Sequence, residues 1–267
     1  MKPAARQGGF TLIEMLLAMG LVAIVLGFVA YFFIEQQHFT HAQQTREEVQ
    51  SNVQAAVELV TEDVRNAGSF GVPSVSLPIQ PAAALVGVDG GTNPDIIRVR
   101  YQRFNYGTAT TTGTYSEVDV TYKVRNDAQG VPTLFRSQTP VNATDGCSLS
   151  TTIADGANCI AAIQNIVAFN VRYMVRTTCP NSLGIQTSVQ ATFEAAQGSS
   201  TFGGVCSSAR SYTAADVYRV EVMVIGRAPL RRAAAGGNLL AGTQQTVPQL
   251  AGFTYRSLSF TFDTPSL

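Results

Sequence analysis

Charge is the commodity this sequence has least of. Only 13% of its 267 residues are Asp, Glu, Lys or Arg, roughly half the ~25% usual in a folded protein. The 18 basic and 18 acidic residues cancel to a formal net charge of zero. The global balance therefore predicts neither nucleic-acid binding nor electrostatic steering of acidic ligands. Cysteine is missing from the first half; Cys147, Cys159, Cys179 and Cys206 all lie beyond it. None forms a CxxC pair and no histidine lies near them, which speaks against zinc. The glycine, serine and histidine patterns of hydrolases, metalloproteases, P-loop proteins and dinucleotide-binding folds are absent too, so no enzyme, cofactor or metal is expected. The stretch Asp89–Asp95 (DGGTNPD) offers oxygen ligands without calcium-loop spacing and reads as a turn.

What the chain does have begins at residue 1. The leader MKPAARQGG carries Lys2 and Arg6 and no acid. From Phe10 to Ile34 only Thr11 and Glu14 interrupt an apolar run, and the 20 residues Met15–Ile34 hold no charge. At ~1.5 Å per helical residue they match a hydrocarbon core of ~30 Å. The basic leader should stay on the cytoplasmic side, with everything after Ile34 across the bilayer. The run is too long for the apolar core of a secretory signal peptide. Glu14 has no use in a plain anchor, and an ionisable group at that depth marks function.

The segment Gly8-Gly9-Phe10-Thr11-Leu12-Ile13-Glu14 resembles the class III signal of type IV pilins and type II secretion pseudopilins. The resemblance implies that a prepilin peptidase cuts between Gly9 and Phe10 and N-methylates the new Phe10 amine. An unpaired cation in an apolar surround costs several kcal/mol. The resemblance implies that Glu14 meets that amine, in its own chain or in a neighbouring subunit, with Thr11 as a minor polar partner. Complementing the helix dipole alone is worth only ~0.3–1 kcal/mol and would not justify the carboxylate's position.

Residues 35–67 contain neither Gly nor Pro, and Val49, Val53, Ala56, Val57, Val60, Val64 and Ala67 recur at spacings of three and four. That is a one-sided apolar stripe, and Gly68 supplies its stop. One helix from about Phe10 to Ala67, roughly 87 Å long, is expected. His38 and His41 stand at i and i+3 without an acid or cysteine partner and read as solvated helix residues.

Beyond a loop-rich connection from Gly68 to Pro94, residues alternate as in half-buried strands. The segments are Ile97–Tyr101, Glu117–Arg125, Thr133–Ser137, Val167–Arg176, Tyr218–Ile225 and Thr254–Phe262, with a turn at Asn126–Gly130. Six strands with mostly short links predict an antiparallel sheet with one face on the helix stripe. Thr177–Thr213 and Ala228–Pro248 read as surface excursions. Outside the cytoplasm an even cysteine count favours two disulfides. Four cysteines allow three connectivities; Cys147–Cys159 with Cys179–Cys206 is favoured, because each pair brackets a loop poor in apolar residues.

The expected fold is α+β and pilin-like: a long N-terminal helix, half transmembrane and half amphipathic, packed on an antiparallel β-sheet domain. Its parts are a leader (1–9), an assembly half-helix (10–34), an amphipathic half-helix (35–67) and a β-rich domain (68–267). The domain is similar to that of PilW-type minor pilins at Glu62–Gly68, Asp95–Tyr101, Leu134–Arg136, Val167–Tyr173 and the last strand. J-type pseudopilins of type II secretion share the plan and are the alternative. The resemblance implies a membrane, other minor pilins, the major pilin, the prepilin peptidase and an inner-membrane assembly platform as partners, and no nucleic acid. It places the protein in the bacterial inner membrane with a periplasmic domain, then in the pilus at the cell surface.

Overall fold

The computed structural model describes residues 11–68, 84–105, 114–150, 153–180, 183–200, 202, 206, 209–229 and 253–263. Helix α1 runs Leu12–Arg65 and contributes to two units, one ending at Arg46 and one from Glu47 to Leu267. In the first unit the large apolar side chains from Leu12 to Ile34 are all at least 44% exposed. This stretch is long and apolar enough to cross a membrane.

In the second unit, Val49, Val53, Ala56, Val57, Val60 and Val64 are almost fully buried. The stripe read from spacing is the face that packs. The helix ends as its sequence dictates: Gly68 has φ +69°, a conformation glycine adopts without steric cost. Its N–H donates to the carbonyl of Arg100 at 2.9 Å, tying the helix terminus to a strand.

Among the described residues eleven strands follow, in two larger antiparallel sheets and a ribbon. β1 (Leu85–Val88), β2 (Ile96–Asn105), β3 (Thr114–Asn126), β4 (Pro132–Pro140) and β5 (Ile160–Gln164) form a five-stranded meander in chain order. β6 (Ile166–Pro180), β7 (Gln186–Phe193), β10 (Val217–Pro229) and β11 (Phe253–Asp263) form the second sheet, ordered β11-β10-β6-β7. β8 (Gly198–Ser200) and β9 (Arg210–Tyr212) make the ribbon. The helix stripe shares one core with both sheets, including Val99, Val120, Tyr122, Phe169, Val171 and Val222. On the second sheet the helix comes close at Gly226, where an added Cβ would sit 2.6 Å from Val53 Cγ2.

The expected single sheet of six strands is thus corrected to two sheets. The switch occurs at one residue: Asn165 separates β5 from β6 with φ +63°. Asparagine tolerates this left-handed conformation better than most residues, and its carbonyl accepts the Arg227 N–H at 2.8 Å. The strand expected over Val167–Arg176 therefore starts a new sheet. The surface excursion expected over Thr177–Thr213 is also corrected. β6 continues to Pro180, β7 pairs along it, and Ala196, Phe202, Cys206 and Tyr212 are buried. The Phe193 and Tyr212 rings stack at 4.3 Å between centroids, with Phe202 edge-on to both. Three aromatics and a disulfide make a core where aliphatic periodicity is lacking. Most of Ala228–Pro248, and most of the Gly68–Pro94 connection, lie outside the described residues.

Candidate functional site

Gly9 and Phe10 lie outside the described residues. Thr11 stands just ahead of α1 and caps it. Its carbonyl accepts the N–H of Glu14 at 3.1 Å and of Met15 at 3.2 Å, and its hydroxyl oxygen lies 3.4 Å from the Glu14 N–H. Glu14 is the acid of the first turn and is exposed, at the head of an exposed apolar helix surface. A carboxylate at a helix start, beside a surface that water cannot solvate well, can receive a cation brought up by another chain or by the chain's own terminus. His38 and His41 are exposed on the same helix.

A second polar centre, which sequence reasoning missed, fixes the far end of the helix. Asp63 is 5% exposed and points into the first sheet. Tyr101 Oη donates to its Oδ1 at 2.8 Å, the Tyr122 hydroxyl bonds its Oδ2, and Arg136 Nη2 reaches Oδ2 at 3.0 Å. The Tyr122 hydroxyl also lies 3.1 Å from the Leu59 carbonyl oxygen. Burial, then the nearby Asp63 carboxylate, pushes both phenols well above their usual range, so they remain neutral and donate to it. The signal was present: Asp63 falls at the three- and four-residue spacing between Val60 and Ala67, so the apolar stripe contains one acid that must find partners.

The structure joins Cys147 to Cys159 and Cys179 to Cys206. The first bridge closes a loop over the face of the first sheet turned away from α1. There Cys147 and Cys159 pack on Phe135, and the Cys147 N–H donates to Ser137 Oγ at 2.9 Å. Lys123, nearly buried, pairs with Asp155 at 2.9 Å and donates to the Ser148 and Ser150 carbonyls at 3.2 Å. The second bridge ties the end of β6 to the segment before β9.

Asp95 holds the two sheets together. Its Oδ1 accepts the Gly90 N–H at 3.0 Å and its Oδ2 the Val171 N–H at 2.8 Å. Its own N–H donates to the Phe169 carbonyl at 2.8 Å. The DGGTNPD stretch is accordingly a turn closed on Asp95. Burial pushes its carboxyl up to about 7, against the two backbone N–H bonds that lower it. Because the folded value lies above the unfolded one, Asp95 favours the folded state fully below about pH 4 and loses that contribution as pH rises through about 7. We expect urea midpoints of the detergent-solubilised protein to fall between pH 5 and pH 8, with Asp95→Asn flattening the slope. An unchanged slope in the variant would assign it to other groups.

The amino terminus matches the family model described as the prokaryotic N-terminal methylation motif over residues 4–30. No curated protein matches the chain. Among solved structures, a type IV-like pilin from Thermus thermophilus aligns at 11% identity, with 82% of this chain and 97% of that chain covered and a TM-score of 0.43.

Proposed function

We propose that this type IV pilin-like protein, a carrier of the N-terminal methylation motif, is a minor pilin that helps to initiate a type IV pilus and forms part of the complex at the fibre's tip or base. One observation carries the reading: the matched motif leads directly into an exposed apolar helix whose first turn holds a single carboxylate, Glu14. In this reading a prepilin peptidase cuts between Gly9 and Phe10 and methylates the Phe10 amine. That amine, with Thr11 beside it, pairs with Glu14 as subunits stack helix on helix. The basic leader stays cytoplasmic and the β domain faces the periplasm until assembly, when the subunit joins other minor pilins and the major pilin through the inner-membrane platform. The two disulfides suit an oxidising compartment. The protein acts by assembling, and catalysis has no part in the proposal.

Processing tests it directly. The native protein should begin at Phe10 and be one methyl group heavier than its sequence, and Gly9→Ala should leave a longer, unmethylated chain. A mature protein still carrying residues 1–9 would count against the proposal. Sheared fibres separate the two machines: recovery in pili supports the pilus assignment, and recovery only with a secretion complex would favour the J-type pseudopilin.

A further inference from the structure

We infer that the free edge of β5 is a docking groove for an extended segment of another protein carrying a Lys or Arg side chain. This goes beyond the assembly role proposed above and uses only the unit from Glu47 onward.

β5 ends the five-stranded sheet. It pairs with β4 on one side and with no strand on the other among the described residues. Every second residue of such an edge turns its N–H and C=O outward, so β5 presents an unpaired template for one more strand. The edge is open: β5 is exposed at four of its five positions, and Ile160 is 63% exposed. Natural sheets blunt an open edge with Pro, charge or bulges; Ile-Ala-Ala-Ile-Gln has no Pro and no charge, and its register against β4 shifts once, between Leu134 and Phe135.

The edge also has a wall. A cavity of about 490 Å³ runs between residues 161–165 and the Glu48, Asn52 and Ala55 positions of α1. A strand edge facing a helix is the shape into which extended peptides add, with main-chain bonds giving affinity and the wall giving selectivity. Among the described residues, Glu48 is the one charged residue lining this cavity. Neither its side chain nor that of Asn52 has a hydrogen-bond or ion-pair partner among the described residues. A lone carboxylate beside an open strand edge selects a basic side chain. It also disfavours a second copy of this chain, because edge-to-edge pairing of two β5 strands would bring two Glu48 carboxylates into one groove.

The test uses the full chain in detergent micelles and a fluorescent, end-blocked peptide, Thr-Val-Lys-Val-Thr-Val, beside its Glu-for-Lys counterpart. The Lys peptide should bind saturably and slow amide exchange at Ala161–Gln164, and the Glu peptide should bind at least five-fold more weakly. Glu48→Lys, a change on an exposed helix surface that should leave the thermal midpoint in place, should weaken the Lys peptide by a similar factor. Absence of saturable binding, protection elsewhere, or equal affinity in the variant would overturn the inference. Protection of Ala161–Gln164 that grows with protein concentration, without peptide, would also overturn it by identifying a second copy as the occupant.

Discussion

Asp63→Ala should be among the most damaging single changes in the unit from Glu47 onward, lowering stability by roughly 3–5 kcal/mol, as expected when one member of a buried charge pair is removed. The substitution deletes little apolar contact. Its cost comes from what it strands: two phenol donors on β2 and β3 and the Arg136 guanidinium on β4, all of which meet at Asp63. Because the Arg136 side chain is 23% exposed, water can recover part of the loss, which places the expectation at the lower end of the range. Urea unfolding of the detergent-solubilised protein measures it. Arg136→Met added to Asp63→Ala should restore part of the stability, because it removes the stranded cation. A single-variant loss below about 1 kcal/mol would mean that the clamp is ornamental.

Glu14→Ala should have the largest effect on function and none on the fold. Glu14 is exposed and lies outside the β-domain unit, so urea midpoints should not move. If a stacked neighbour brings a terminal amine to this carboxylate, its removal leaves a cation unpaired in apolar surroundings, at a cost of several kcal/mol. Several kcal/mol corresponds to a fall of more than a hundredfold in an equilibrium constant, since about 1.4 kcal/mol is tenfold. The subunit should then be processed normally, accumulate in the membrane fraction and be nearly absent from sheared fibres. Glu14→Asp, with a shorter reach, should fall between. Wild-type recovery of the Ala variant in fibres would refute the pairing.

Much of this architecture was legible in local pattern, and the failures share a cause. The stripe Val49–Val64 and the alternation in β2, β3 and β6 were readable because burial imposes its period on consecutive residues. β5 was not, since Ile-Ala-Ala-Ile-Gln at an edge has little to alternate against. β7 alternates Thr187, Val189, Ala191 and Phe193 with Gln186, Ser188, Gln190 and Thr192, but its three apolar residues sit within a long stretch of Ser, Thr, Gly and Ala, which masked the pattern. The sheet switch depends on one residue, Asn165, and no periodicity announces a single left-handed position. Of the candidate site, Thr11 and Glu14 could be singled out because the methylation motif that holds them is contiguous in sequence. The Asp63 clamp was half visible, as an acid in an apolar stripe. Its partners stand 38, 59 and 73 residues away, and no local rule connects them.

The order of pairing carries a consequence for how the protein is made. β11 is the last described element, and it pairs with β10 along its whole length, from Phe253 to Asp263. β10 in turn lies beside β6 and over the helix stripe at Gly226. The strands of the second sheet that pack on the helix lie more than a hundred residues after it in the sequence, and contacts between such distant segments form slowly. If residues after Ile34 reach the far side of a bilayer in the order of synthesis, the valine stripe of the helix arrives long before the strands that cover it. During that interval its greasy face is bare, and a holding chaperone in that compartment would find its substrate there.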